Sequence, residues 1–425
     1  MANEFSKEER VAFEDMLEGF QDALVLSRNV SIYRTDGTMM ERARDTIWRP
    51  QPYIATSINS TPGSSIASSY QDMTQLSVPA TLGFSKTVPW TMTTLELRDA
   101  LQEGRLGDAA KQRLASDINV AVMNVAANQG TLVVDVSTAA GDYDDVALCD
   151  SIMNEQGVMT ENRYLALSSR DYNGLAGNLA AATRSFIGDN KTKTAYERSY
   201  VGMVAGFETY KLDYANRLSA TSATVTIATN GAQVRYVPQA TSTSVGGEIN
   251  VDNRYQTVTV STTTGVTAGA AFTIAGIEAV HHITKQSTGQ LKTFRVISVD
   301  SGTTMTISPP MIGANSSPTD AELQYQNINV ASTSGTAGIT WLNTTAAPIN
   351  CFWHKDAIEI LPGRYAVPLN AGAAVMRAST DQGIELVMQK FYDIDTMTIK
   401  YRLDTLFGVV NKQPEMSGIL LFGQT

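Results

Sequence analysis

Leu106, Ala110, Leu114, Ile118, Val122 and Val125 recur at steps of three or four, with Lys111, Arg113, Asp117 and Asn124 between them. This is the longest stretch that keeps helical time, and it predicts an amphipathic helix over Asp108–Gln129. At 1.5 Å per residue that helix would run about 33 Å, roughly the width of a small domain. Gly130 is the expected stop. Upstream, Thr93 with Glu96 forms a capping box expected to open a shorter helix, Thr94–Glu103, with Gly104 and Gly107 separating the two. A second capping box, Ser6 with Glu9, opens an N-terminal helix. Its apolar face is Phe13, Met16, Leu17, Phe20 and Leu24, and its opposite face is acidic. That acidic face is unsuited to anionic lipid, so the stripe is expected to pack on protein, either a neighbour or, as the plainer reading, its own domain.

Between Asp45 and Trp90 the period changes. Thr46–Pro50 reads as extended, Ser, Thr, Gly and Pro then dominate to Ser69, and Leu76, Val78, Ala80 and Leu82 alternate. Two strands flanking a long polar excursion predict a projecting β-arm, because a loop of that length has no core of its own. Beyond Gly130 the pattern alternates: a strand over Leu132–Val136, a helix over Asp144–Gln156 and a strand over Arg163–Leu167. A helix over Ser169–Thr183 follows, then over Val201–Leu212 either a strand pair turning at Gly206 or one strand with a bulge there.

Residues 221–345 differ in kind. Of them 37 are Ser or Thr and 11 are charged, with no helical period. Asn230-Gly231 joins TVTIA to QVRYV, and Asp300-Ser301-Gly302 joins TFRVISV to TTMTIS, so both read as hairpins. An inserted all-β module of about six short strands, a barrel or small sandwich, is expected. Mixed structure resumes at Phe352–Ile360 and Ile384–Met388, and the chain closes with Thr396–Phe407 and Ile419–Phe422.

Composition sharpens this picture. With 425 residues and 43% hydrophobic content the chain can build more than one core, yet only 17% of it is charged. Sparse charge suits a surface covered by other subunits. A net charge of -10 argues against binding DNA by phosphate neutralisation. Two distant cysteines, Cys149 and Cys351, read as buried thiols, and the acidic N-terminus carries no readable secretory signal.

Candidate chemistry is thin. There are three histidines, and no P-loop, G-x-G-x-x-G or G-x-S-x-G. Glu278, His281 and His282 have a metal-like spacing but fall in the β module, where solvated loop histidines are expected. Asp142, Asp144 and Asp145 lack the rest of a calcium loop and are expected to cap the following helix. No catalytic, metal or cofactor residue is assigned.

The order of parts resembles the major capsid proteins of tailed phages, closest to coat proteins of P22-like short-tailed phages. The carrying segments are Thr46-Ile47-Trp48, Val204-Ala205-Gly206-Phe207, Asn250 to Tyr255 with Thr257-Val258-Thr259, Phe352-Trp353 with Asp356-Ala357-Ile358, and Arg402 to Gly408 with Pro414-Glu415. The resemblance implies an α+β, HK97-type coat fold. Its parts would be an N-terminal arm helix (1–32), an extended β-arm (33–90), a peripheral domain with the spine helix (91–132 and 384–425), an axial domain (133–221 and 346–383) and an inserted barrel-like β domain (222–345). It further implies intersubunit contacts through Trp48, Tyr53, Ile54, Ile58 and Tyr70 of the arm. A protruding loop is implied at Gln239, Thr241, Ser244, Glu248, Asn250, Asp252 and Arg254, and an N-arm apolar face at Phe13, Met16, Leu17 and Phe20. Relatives tend to carry acidic residues in that loop, whereas Gln239–Gly247 has no charge before Glu248.

The implied role is a major capsid protein forming an icosahedral shell of hexamers and pentamers around double-stranded DNA. It would be assembled in the host cytoplasm with a scaffolding protein supplied in trans and a portal protein, without membrane contact. A secreted β-rich surface-layer or adhesin protein and a carbohydrate-active enzyme with a β module are the alternatives.

Overall fold

The computed structural model describes residues 5–423 except 6, 34–45, 53, 56, 68, 94–99, 181–194, 196, 228–234, 314–316, 331–336, 366–372 and 381. It divides into two compact units, residues 1–47, 79–125 and 358–410 in one and 48–78, 126–357 and 411–425 in the other.

The first unit is built on the strand Thr398–Asn411. Along one edge it pairs with Phe84–Thr93, and along the other with Glu385–Asp393, which pairs in turn with Ala374–Ser379. The same sheet takes in Ile358–Pro362 and the short strand Ser31–Ile32. Aromatic pairs bind Phe84–Thr93 to its neighbour: Phe84 stacks on Phe407 and Trp90 on Tyr401, with ring centroids 5.2 and 5.5 Å apart.

The N-terminal helix, Lys7–Ala23, buries the expected face. Phe13, Met16 and Phe20 are in the core, as is Leu24 just beyond the helix, and Leu17 is half-buried. Glu9, expected to close a capping box, places Oε1 2.8 Å from the Tyr401 hydroxyl and also pairs with Lys390. Ser6, its expected partner, lies outside the described residues.

The long helix spans Ala100–Gln129, so it runs straight through Gly104 and Gly107 rather than breaking there. Two glycines at about 1 kcal/mol each relative to Ala do not outweigh propagation of an already formed helix. The box at Thr93 and Glu96 cannot be placed, because residues 94–99 are not described. The stripe Ala110, Leu114, Ile118, Val122 and Val125 is buried as expected.

In the second unit a six-stranded sheet runs in the order Leu132–Val136, Ser417–Phe422, Asn350–His354, Arg163–Ser168, Phe207–Leu212, Met203–Val204. The C-terminal strand, expected among the peripheral elements, is therefore the second strand here. It lies parallel to Leu132–Val136 and antiparallel to Asn350–His354. Gly418 permits this: a Cβ there would run into the Leu132 carbonyl and the Phe352 ring. Helices Tyr143–Glu155 and Ser169–Ala180 cover a core of Leu132, Leu165, Phe207, Phe352 and Leu420 with Cys149 and Met153. Asp142 and Asp145 cap the first of these helices reciprocally, as read from the sequence. The Ala205-Gly206 turn has positive φ at both residues and closes the expected strand pair.

The inserted module is a five-stranded antiparallel sheet in the order Gln256–Thr259, Thr304–Ser308, Ser287–Val299, Ala271–Val280, Ile339–Trp341. The Asp300–Gly302 hairpin is present, while the Asn230–Gly231 turn lies outside the described residues. Ile227 bridges to Val260 at one sheet edge and Thr226 to Gly338 at the other, closing the sheet around Phe272, Phe294, Val296, Met305 and Ile307. Contrary to the expectation of an all-β module, it carries a short helix, Asp320–Tyr325.

Candidate functional site

Two largely exposed segments of the second unit carry few charges, Asp72 in one and Glu248 in the other. The first is the arm, residues 51–76, which is largely exposed and, among its described residues, has no regular strand or helix. Ile58, Ile66, Tyr70 and Met73 present 47%, 39%, 79% and 64% of their surface to solvent. Of the residues expected to make intersubunit contacts, Ile58 and Tyr70 are exposed, Trp48 and Ile54 are half-buried, and Tyr53 lies outside the described residues. The two limbs are tied at the root: Gln51 N donates to Leu76 O at 2.9 Å, and Gln75 Nε2 to Gln51 O at 2.7 Å.

The second segment is the hairpin Thr241–Ser244 with Gly247–Asn250. Its tip residue Val245 is fully exposed and Gly247 supplies the positive φ of the turn. Gln239, Thr241, Ser244, Glu248 and Asn250 are exposed and Asp252 is half-buried. Arg254 is not. Only 7% exposed, it donates through Nη2 to Asp252 Oδ2 at 2.7 Å and through Nη1 to Asn411 O at 2.9 Å. Next to it, Asn253 Nδ2 donates to Gln239 O at 2.7 Å and its Oδ1 accepts from Gln239 N at 3.0 Å. Arg254 and Asn253 thus clasp the base of the hairpin, and the loop surface above them lacks charge except at Glu248.

A buried ionic cluster that no sequence motif announces lies where the inserted module meets the six-stranded sheet. Lys292 Nζ lies 2.5 Å from Glu415 Oε1 and 2.9 Å from Gln156 Oε1. Asn327 Nδ2 donates to the same Glu415 oxygen at 3.2 Å. His282 Nε2 stands 3.2 Å from Glu415 Oε2, at ion-pair distance but not aligned as a hydrogen bond. The expectation of solvated histidines therefore fails at His282, which is 9% exposed. Burial alone would raise the Glu415 carboxyl, but the charges of Lys292 and His282 outweigh it and hold it well below the ordinary carboxylate range. Burial pulls the nearby Lys285 ammonium down to about 8, with Glu415 opposing the shift. These residues lie far apart in the chain, so no local motif could reveal them. Glu278 does not join a ligand set; its Oε2 accepts from Ser287 and Asn329. Among the described residues no group of three or more His, Cys, Asp or Glu is placed to hold a metal.

Both cysteines are buried and unpaired. Burial pushes the Cys149 thiol up, and takes Cys351 to about 12 despite the opposing Arg295 guanidinium. Thiols held protonated and away from solvent are packing groups, not nucleophiles. Among the described residues no helix is long and apolar enough to cross a membrane.

A family model described as P22 coat protein, gene protein 5, matches residues 1–423. The chain belongs to the P22 coat protein family. It is a structural shell protein of a phage, and its place is the virion. The family favours this reading over the surface-layer and carbohydrate-active alternatives. Similar solved structures include the capsid of the cyanophage P-SCSP1u, at 9% identity and TM-score 0.45, covering 95% of this chain and 89% of that one. A structure from Mycobacterium phage Che8 is 8% identical with TM-score 0.43, covering 93% and 90%. The CUS-3 coat protein I-domain is 38% identical over 29% of this chain and 99% of its own, with TM-score 0.23. For this coat subunit, then, the exposed arm and hairpin are surfaces to be read in terms of neighbours.

Proposed function

We propose that this coat protein assembles into a closed icosahedral shell of hexamers and pentamers, with an HK97-type subunit, that encloses double-stranded DNA. The observation that carries the reading is the arm. It exposes Ile58, Ile66, Tyr70 and Met73 along one polar excursion that contributes little to the cores of either unit. In a shell these side chains are covered by an adjacent subunit, and the hairpin Thr241–Asn250, charged only at Glu248, reaches a further neighbour. The net charge of -10 supports a container that holds DNA without gripping it. A scaffolding protein directs closure, a portal protein occupies one vertex, and assembly takes place in the host cytoplasm.

Co-expression with the scaffolding protein of the same phage, followed by sedimentation and negative-stain microscopy, tests this. Closed shells several hundred ångströms across are expected. Subunits that sediment only as monomers or dimers in the presence of scaffold would refute the proposal.

A further inference from the structure

We infer that the short helix Asp320–Tyr325 of the inserted module is a seat for the returning limb of the arm, residues 72–77, and that Gln324 fixes that limb's register. The Gln324 side chain is fully buried. Its amide oxygen accepts from Thr74 N at 3.2 Å and its amide nitrogen donates to Asp72 O at 2.7 Å. One side chain thereby does what a strand's peptide group does, satisfying an acceptor and a donor two residues apart on the same edge of an extended chain. In an extended chain successive residues turn their polar groups to opposite sides, so slipping the limb by one residue breaks both bonds.

Flanking bonds agree on the same register. The Tyr325 hydroxyl donates to Thr74 O at 2.9 Å, Asp72 N donates to Asp320 Oδ2 at 2.8 Å, and Ser77 forms a parallel bridge with Asp252 at the hairpin base. The helix is itself braced. Thr319 and Glu322 cap it reciprocally, and Arg235 Nη2 donates to Glu322 Oε2 at 2.7 Å. The module therefore sets the direction in which exposed Tyr70 and Met73 are presented. Only the consequence for assembly rests on the shell proposal; the seat is a property of the single subunit.

Hydrogen exchange of the full-length monomeric subunit, read on peptides covering 70–77, tests it with Gln324→Ala and the near-isosteric Tyr325→Phe. For Gln324→Ala, exchange at the amide of Thr74 is expected to be roughly tenfold faster, while strands Ser287–Val299 and Thr304–Ser308 keep their protection. Tyr325→Phe should show a smaller acceleration in the same peptides. Unchanged exchange over 70–77 in both variants overturns the seat. If Gln324→Ala also loosens the module's strands, Tyr325→Phe decides: local acceleration upholds the seat and none overturns it. Accelerated exchange with normal shell yield would uphold the seat and count against the arm's role between subunits.

Discussion

Glu415 shows how a single side chain can hold together parts that are distant in sequence. It faces Lys292, His282 and Asn327 of the inserted module. Replacing it with Gln leaves Lys292 buried without its counter-charge, which costs about 3–5 kcal/mol and should appear as a large drop in melting temperature. Its pH signature follows from the same charges. The folded-state value lies below the ordinary 4.5, so its contribution is complete above that pH and is lost as the pH falls towards the folded value. Melts of the parent should therefore decline below about pH 4.5, and Glu415→Gln should flatten that acid slope. An identical slope in the two proteins would remove Glu415 as its source. None of this was legible in the sequence, because Lys292 and Glu415 are 123 residues apart and nothing local marks either. By contrast, the Asp142 and Asp145 cap was readable, since its members are three residues apart and the geometry is local.

Elements follow the same divide between local and distant causes. The amphipathic stripe of Ala110 to Val125 was legible because a helix enforces its own period. The strand Phe84–Thr93 was not, because Pro89 interrupts an otherwise alternating run. The proline is tolerated because, among the described residues, this strand pairs along one edge, with Thr398–Asn411. The helix Asp320–Tyr325 was announced by Thr319 and Glu322 at capping-box spacing, a signal masked by the Ser/Thr-rich module around it. Thr319→Ala removes the acceptor for Glu322 N and should cost about 1 kcal/mol, read as a lower urea midpoint with an unchanged slope. A midpoint equal to the parent's would show that Arg235 and Glu322 alone secure this turn.

For the whole molecule, the order of segments carried the family, while the exposed chemistry of the arm needed the structure. Deleting Thr56–Ser68 should leave the melting temperature of the monomer close to the parent's, because shortening a surface loop costs little. The same deletion should abolish shell formation with scaffold. Sedimentation and melts of the one variant check both halves. The inserted module, residues 222–345, should fold as an isolated fragment with a dispersed amide spectrum, since its core is its own. It should melt below the full chain, because Thr293 Oγ1 loses Thr131 O, and Lys292 loses Gln156 and Glu415. The bridges of Ile227 to Val260 and Thr226 to Gly338 have a meaning beyond the single subunit. A sheet left open between those edges would offer two rows of unpaired amides in every copy, at the local concentration of a growing lattice. Such rows recruit one another into fibres. By pairing its first residues with both sides, the module shortens those rows, so that fewer unpaired amides are left to template fibrous aggregation in a crowded lattice.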